Sequence, residues 1–168
     1  MQPSTIAIAA IASLISIAPA SADLITKFDE GAPKDRFTFS NASNCALNNA
    51  IIRLDLSGSK AGLIFDTTDK GAGVEVFQPL EFVTGTSSLT SLPKVRDGDR
   101  IIELKVAELA PQQTIAFTID VDDTMGGREI TVSDSEIQGA TVQLLHNAAT
   151  ITTAFNTRSK AVLRLPKC

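Results

Sequence analysis

Apolar and polar residues alternate with a period of two through almost the whole chain, and nothing else constrains the fold as strongly. The alternation is plain in Arg36-Phe37-Thr38-Phe39-Ser40, Ile52-Arg53-Leu54-Asp55-Leu56, Gly73-Val74-Glu75-Val76-Phe77 and Ile102-Glu103-Leu104-Lys105-Val106. It continues in Ile115-Ala116-Phe117-Thr118-Ile119-Asp120-Val121, Glu129-Ile130-Thr131-Val132, Ala140-Thr141-Val142-Gln143-Leu144 and Ala161-Val162-Leu163-Arg164-Leu165. Residues at i, i+2 and i+4 share one face of a strand, so each run predicts a strand with one apolar face. Turn-forming clusters separate the runs, among them Asn41-Ala42-Ser43-Asn44, Ser57-Gly58-Ser59, Asp69-Lys70-Gly71, Asp97-Gly98-Asp99, Ala110-Pro111-Gln112 and Met125-Gly126-Gly127. Such spacing belongs to a sandwich or barrel. One wet face per strand favours antiparallel pairing, because strands of a parallel sheet are apolar on both faces. The expectation is an all-β antiparallel sandwich, immunoglobulin-like or jelly-roll in type, forming a single domain over residues 23–168.

The first 22 residues stand apart. Ile6 to Ala18 is apolar and small, and Ala20-Ser21-Ala22 has the small-x-small form cut by signal peptidase. This predicts a signal peptide over residues 1–22 and a mature start near Asp23. The segment before it lacks Lys and Arg, which leaves an uncleaved anchor as the alternative. No later stretch is apolar enough to span a membrane as a helix. The expected destination is outside the cytoplasm, either secreted or periplasmic. Roughly 145 residues remain, enough to bury a core without a metal.

The chain carries a net charge of −4, which argues against nucleic acid, where a basic face must replace phosphate counterions. Its two cysteines, Cys45 and Cys168, form an even count in an exported chain and so suggest a disulfide. Closing a loop of ~120 residues would constrain the unfolded chain by ~4–5 kcal/mol.

Catalytic constellations are scarce. There is one histidine, His146, and no G-x-S-x-G elbow to activate a serine. A zinc site needs several His or Cys ligands. His146 is read as a structural residue at a strand end. A pair of carboxylates could serve a glycosidase, but the chain has no Trp and no Tyr to hold a sugar. The expectation is a binding module, not an enzyme.

The carboxylates themselves are concentrated. In the strand 115–121 the apolar phase is Ile115, Phe117, Ile119 and Val121, so Asp120 and Asp122 lie on the other face. Asp123 opens the following turn, and Glu129 returns beyond Gly126-Gly127. A second acidic loop holds Asp66, Asp69 and Glu75. Carboxylates gathered at one strand end repel one another unless neutralised, and Ca²⁺ is a hard cation suited to oxygen ligands. The competing reading is a set of solvated acidic turns. Asp97-Gly98-Asp99 is expected to be a plain hairpin turn.

Several segments resemble a known family. They are Gly62-Leu63-Ile64-Phe65-Asp66-Thr67-Thr68, Gly71-Ala72-Gly73-Val74-Glu75-Val76-Phe77-Gln78-Pro79, Phe117-Thr118-Ile119-Asp120-Val121-Asp122-Asp123-Thr124 and Gly127-Arg128-Glu129-Ile130-Thr131-Val132. Together they resemble the short secreted bacterial aggregation factor core proteins, over about Asp23 to Val142. The resemblance implies an extracellular, calcium-assisted role in aggregation, adhesion or self-assembly. Its expected partners are extracellular polysaccharide, a cell surface or another copy of the chain. Leu109-Ala110-Pro111-Gln112-Gln113-Thr114-Ile115 is also similar to the proline turn of bacterial immunoglobulin-like modules. Two other readings stay open: a metal-free periplasmic accessory domain held by Cys45 and Cys168, and a carboxylate-based polysaccharide hydrolase.

Overall fold

The structure is a computed structural model, and it describes residues 23–71, 73, 77–125 and 132–165. Eleven strands are present among these residues: β1 (Asp23–Asp29), β2 (Asp35–Asn41), β3 (Leu47–Asp55), β4 (Ile64–Asp66), β5 (Glu81–Thr84), β6 (Leu89–Ser91), β7 (Ile101–Leu109), β8 (Thr114–Asp122), β9 (Thr141–His146), β10 (Ala149–Ala154) and β11 (Lys160–Arg164). They form two antiparallel sheets. One runs β11-β1-β2-β8-β4, with β5 also paired to β8, and the other runs β10-β9-β3-β7-β6. The expected two-sheet sandwich is the fold. The signal segment, Gly126, Gly127, Arg128, Glu75, Glu129 and Cys168 lie outside the described residues. Of the two segments expected as strands around Gly73 and Glu129, Gly73 lies in a bend, and Phe77 and Val132 in irregular chain.

Alternation explains the core. The phase of β8 that carries Ile115, Phe117, Ile119 and Val121 is buried against Phe37 and Phe39 of β2 and against Ile52, Leu54, Leu104 and Val106 of the facing sheet. Phe117 is a hub. Its ring centroid lies 5.4 Å from Phe37, 5.9 Å from Phe39 and 5.7 Å from Phe82. Phe37 in turn meets Phe28 at 5.0 Å and Phe65 at 6.4 Å. Such pairs contribute ~0.5–1.5 kcal/mol each beyond burial alone.

One buried polar group holds a corner of the sandwich. Asn41 ends β2 and is fully buried. Its Nδ2 donates to the carbonyls of Cys45 at 2.7 Å and Leu109 at 2.8 Å, while its Oδ1 accepts from Ser43 N at 3.1 Å. The β2–β3 turn is thereby fastened to the end of β7. Among the described residues no cysteine is a free thiol. The expected partner of Cys45, Cys168, lies outside them.

Thr26 is the opposite case: it is fully buried and its Oγ1 has no partner. A buried hydroxyl without a hydrogen bond costs stability, and an isosteric methyl does not. Thr26→Val should therefore raise stability by ~1 kcal/mol, whereas Asn41→Ala should lower it by about 2–3 kcal/mol because it orphans several buried groups. Urea unfolding of the two variants checks both signs, and a destabilised Thr26→Val would contradict this account of β1.

Candidate functional site

The acidic residues gather where β4 joins the edge of β8. The pairing places Asp66 opposite Asp120 and Ile64 opposite Asp122. Because Ile119 and Val121 point into the core, Asp120 and Asp122 project from the outer face of the sheet, and Asp66 shares that face. The expectation that this face is wet fails. Asp66 is fully buried, and Asp120, Asp122 and Asp123 are only 5%, 2% and 7% exposed. Their cover is the chain that follows β4. A Cβ built on Gly73 would collide with Asp66 Oδ2 and Asp122 Oδ2, and one on Gly71 would collide with the Asp97 carboxylate. Only glycine lets backbone pass this close to the carboxylates. Gln78 completes the cover, its N–H donating to the Asp66 carbonyl at 3.3 Å and its carbonyl accepting from Asp120 N at 3.2 Å.

Two further aspartates stand at this corner, in roles that the sequence analysis did not give them. Asp97 belongs to more than a plain hairpin turn: its Oδ1 accepts from Thr67 N at 3.0 Å, and its carboxyl stands close enough to Asp66 to raise that group's proton affinity. Asp35, at the start of β2, is 3% exposed. Its Oδ2 accepts from Val121 N at 3.0 Å and its Oδ1 from Gly31 N at 3.2 Å, so it ties two strands and a loop together. No period or spacing in the sequence reveals either contact. One signal was available: Asp35 sits in phase with Phe37 and Phe39, a charged residue on an apolar face. Asp69 leaves the cluster. It is exposed in the turn beyond β4, as the solvated-turn reading requires. Glu75 and Glu129 lie outside the described residues.

Burial dominates the electrostatics. It pushes the Asp66 carboxyl up to about 7, with its hydrogen bond to Asp97 and the charges of Asp122 and Asp97 raising it further. Burial also lifts Asp120 to about 7, with the charge of Asp122 adding to the effect. Asp35 rises to about 8, chiefly by burial, against the opposing pull of its two backbone N–H donors. Asp66 Oδ2 and Asp120 Oδ2 are buried with no hydrogen-bond partner. Unpaired buried carboxylate oxygens are costly and require neutralisation by a proton or a cation. Among the described residues no three His, Cys, Asp or Glu side chains already stand at metal-holding geometry. A cation entering here would have to draw carboxylates inward and complete its shell with carbonyls and water, as Ca²⁺ readily does.

A shallow cleft of about 370 Å³ lies on the other sheet, beside β6 and β7, between Leu92, Lys94, Glu103 and Lys105. Glu103 is the one carboxylate lining it. No helix among the described residues is long and apolar enough to cross a membrane.

No protein-family model matches the chain. No curated protein matches it either. Solved structures with a similar fold include a family GH18 chitinase from Chromobacterium violaceum, at 14% identity and a TM-score of 0.37, covering 83% of this chain and 19% of the chitinase. The carbohydrate-binding module CBM3b from the cellulosomal cellobiohydrolase 9A of Clostridium thermocellum is 13% identical, with a TM-score of 0.33, covering 77% of this chain and 94% of the module. A CBM3 of Hungateiclostridium clariflavum is 13% identical, with a TM-score of 0.36, covering 77% of this chain and 95% of that one. At such low identity and TM-score these likenesses carry no functional argument. The resemblance to aggregation factor core proteins rests on its quoted segments alone.

The raised carboxyls make a signed prediction. Asp35, Asp66 and Asp120 hold their protons more tightly folded than unfolded, where the ordinary value is 3.8. The folded state then binds more protons across the window from 3.8 to about 8, so stability falls as pH rises through it. Thermal unfolding in chelator should give a lower melting temperature at pH 8 than at pH 5. A melting temperature that rises over this interval would contradict the assignment.

Proposed function

We propose that this domain is an exported, non-catalytic binding module whose acidic β4–β8 edge takes Ca²⁺ and whose role is aggregation or contact with an extracellular matrix. The observation that carries the proposal is the pair of buried, unpartnered oxygens, Asp66 Oδ2 and Asp120 Oδ2, beside the buried Asp122. A divalent cation at this point would neutralise several carboxylates at once and offset the burial and mutual repulsion that lift their proton affinity. Asp66, Asp120 and Asp122 are the ligands proposed first, with Asp97 beside them. Asp123 and the undescribed Glu75 and Glu129 are the reserve from the sequence reading, and Asp69 is set aside. Export follows from the segment 1–22, and a Cys45–Cys168 bond belongs to the same proposal. The partner is extracellular polysaccharide, a cell surface or a second copy of the chain.

Catalysis is the weaker reading. A carboxylate hydrolase needs two carboxyls flanking a polymer in an open cleft. Here the clustered carboxyls are covered, and the described cleft on the other sheet is lined by Glu103 alone among carboxylates. A metal-free accessory domain, its carboxyls neutralised by protons, is the second reading, and the raised proton affinities favour it.

Thermal unfolding at pH 8 separates the two. A cation held only by the folded state at ~100 times its Kd adds ~2.7 kcal/mol, a rise in Tm of roughly 5–10 °C for a domain of this size. The triple variant Asp66→Asn, Asp120→Asn, Asp122→Asn should lose that rise while remaining folded in chelator, and Asp69→Asn should keep it. No calcium response in the wild-type chain leaves the metal-free reading. For the role itself, calcium should promote binding to cells or to acidic polysaccharide in sedimentation assays, and a lack of binding to either would remove the adhesion proposal.

A further inference from the structure

Sheet edges expose unpaired backbone groups, and most edges here are guarded. β4 and β6 are three residues each, too short to template another strand. β5 has four residues and begins at Glu81, whose carboxylate pairs with Lys34. β11 carries Lys160 and Arg164 at its two ends. Short strands and terminal charges are the usual defences of an edge.

β10 has none of them. It is six residues long, Ala149–Ala154, with no charge and no proline, and it pairs with β9 in unbroken register from Ala149↔His146 to Ala154↔Thr141. The two-residue turn Asn147-Ala148 has positive φ at both positions (49° and 60°), which matches the twist of the hairpin. Ala149, Thr150, Thr152 and Ala154 are exposed. Among the described residues, no backbone hydrogen bond outside the strand ladders involves 149–154. The neutrality is regional: residues 137–157 contain no Asp, Glu, Lys or Arg, although charged residues make up 20% of the chain.

We propose that β10 is a self-pairing edge, to which a second copy of this chain adds antiparallel, joining the two five-stranded sheets into one. The occupant follows from charge. Copies with a net charge of −4 repel one another, and a neutral patch is where that repulsion is weakest. A twofold pairing sets a strand against itself, so any charge near its centre would face its own like. Threonine and isoleucine suit such a pairing, since β-branched residues pair favourably across strands. The twofold closes on itself, and the guarded edges elsewhere stop growth at a dimer.

The sandwich gives this dimer a use. β10 turns through Phe155 and Ser159 into β11, so these two edges lie along the same side of the molecule. The acidic edge at β4 and β8 is at the other end of the first sheet. Pairing through β10 leaves both acidic edges outward, and two sites on one particle bind a surface more tightly than either alone. The inference goes beyond the calcium proposal and does not require it.

Sedimentation velocity in chelator, on protein recovered from an exporting host over micromolar to millimolar concentrations, tests the pairing without involving calcium. The wild-type chain should show a concentration-dependent dimer. Thr152→Lys and Thr150→Lys, each on the exposed face of β10, should weaken it by about fivefold or more, while circular dichroism and the melting temperature of dilute, monomeric protein stay near those of the wild type. Thr90→Lys on β6 should leave it intact. A chain that stays monomeric throughout overturns the proposal, as does a dimer that survives both β10 variants with their circular dichroism native.

Discussion

Strand β8 has to satisfy two dry environments at once, and the rest of the molecule is arranged around that. One face carries Ile115, Phe117, Ile119 and Val121 into the core. The other carries Ala116 and then, toward its end, Asp120 and Asp122, all of them buried. A period of two forbids any escape: turning the aspartates to water in the same register is possible only if nothing covers them. The chain through Gly71, Gly73 and Gln78 does cover them, and β4 adds Asp66 from the side. Charge repulsion, proton affinity and the case for a cation all follow from this one placement.

The fold was largely legible because the alternation is so regular. The strands centred on Phe37, Leu54, Leu104, Phe117, Val142 and Leu163 appear where the pattern predicts them. Strands with less contrast were invisible: β10 reads Ala-Thr-Ile-Thr-Thr-Ala and offers little polarity to alternate, while β4, β5 and β6 are three or four residues long. The site was legible only in part. The phase of β8 correctly set Asp120 and Asp122 on one face. It could not show that the face is covered, because cover comes from a loop whose path depends on tertiary packing. Asp97 reads as part of a plain turn and Asp35 passes unmarked for the same reason, since their roles are contacts made across 30 and 86 positions of sequence. Asp69 shows the converse: an aspartate in the right loop points away because the turn directs it to water.

The two features assigned to function sit at opposite flanks of the sandwich and use opposite chemistry. The acidic edge concentrates charge and hides it. The β10 edge lacks charge and exposes its backbone. An isolated domain of this size has little means of bridging two surfaces. A neutral edge that joins copies and an acidic edge that answers to a cation would together give an aggregating module two separate controls.

Calorimetric titration of the chain with Ca²⁺ near neutral pH, run in two buffers of different ionisation enthalpy, addresses the central claim most directly. Carboxyls that share protons in the absence of metal must release them when a cation takes their place. The account predicts saturable binding whose heat differs between the buffers, reporting protons released from Asp66 and Asp120. Saturable binding with identical heats in both buffers, or no binding at all, would contradict it.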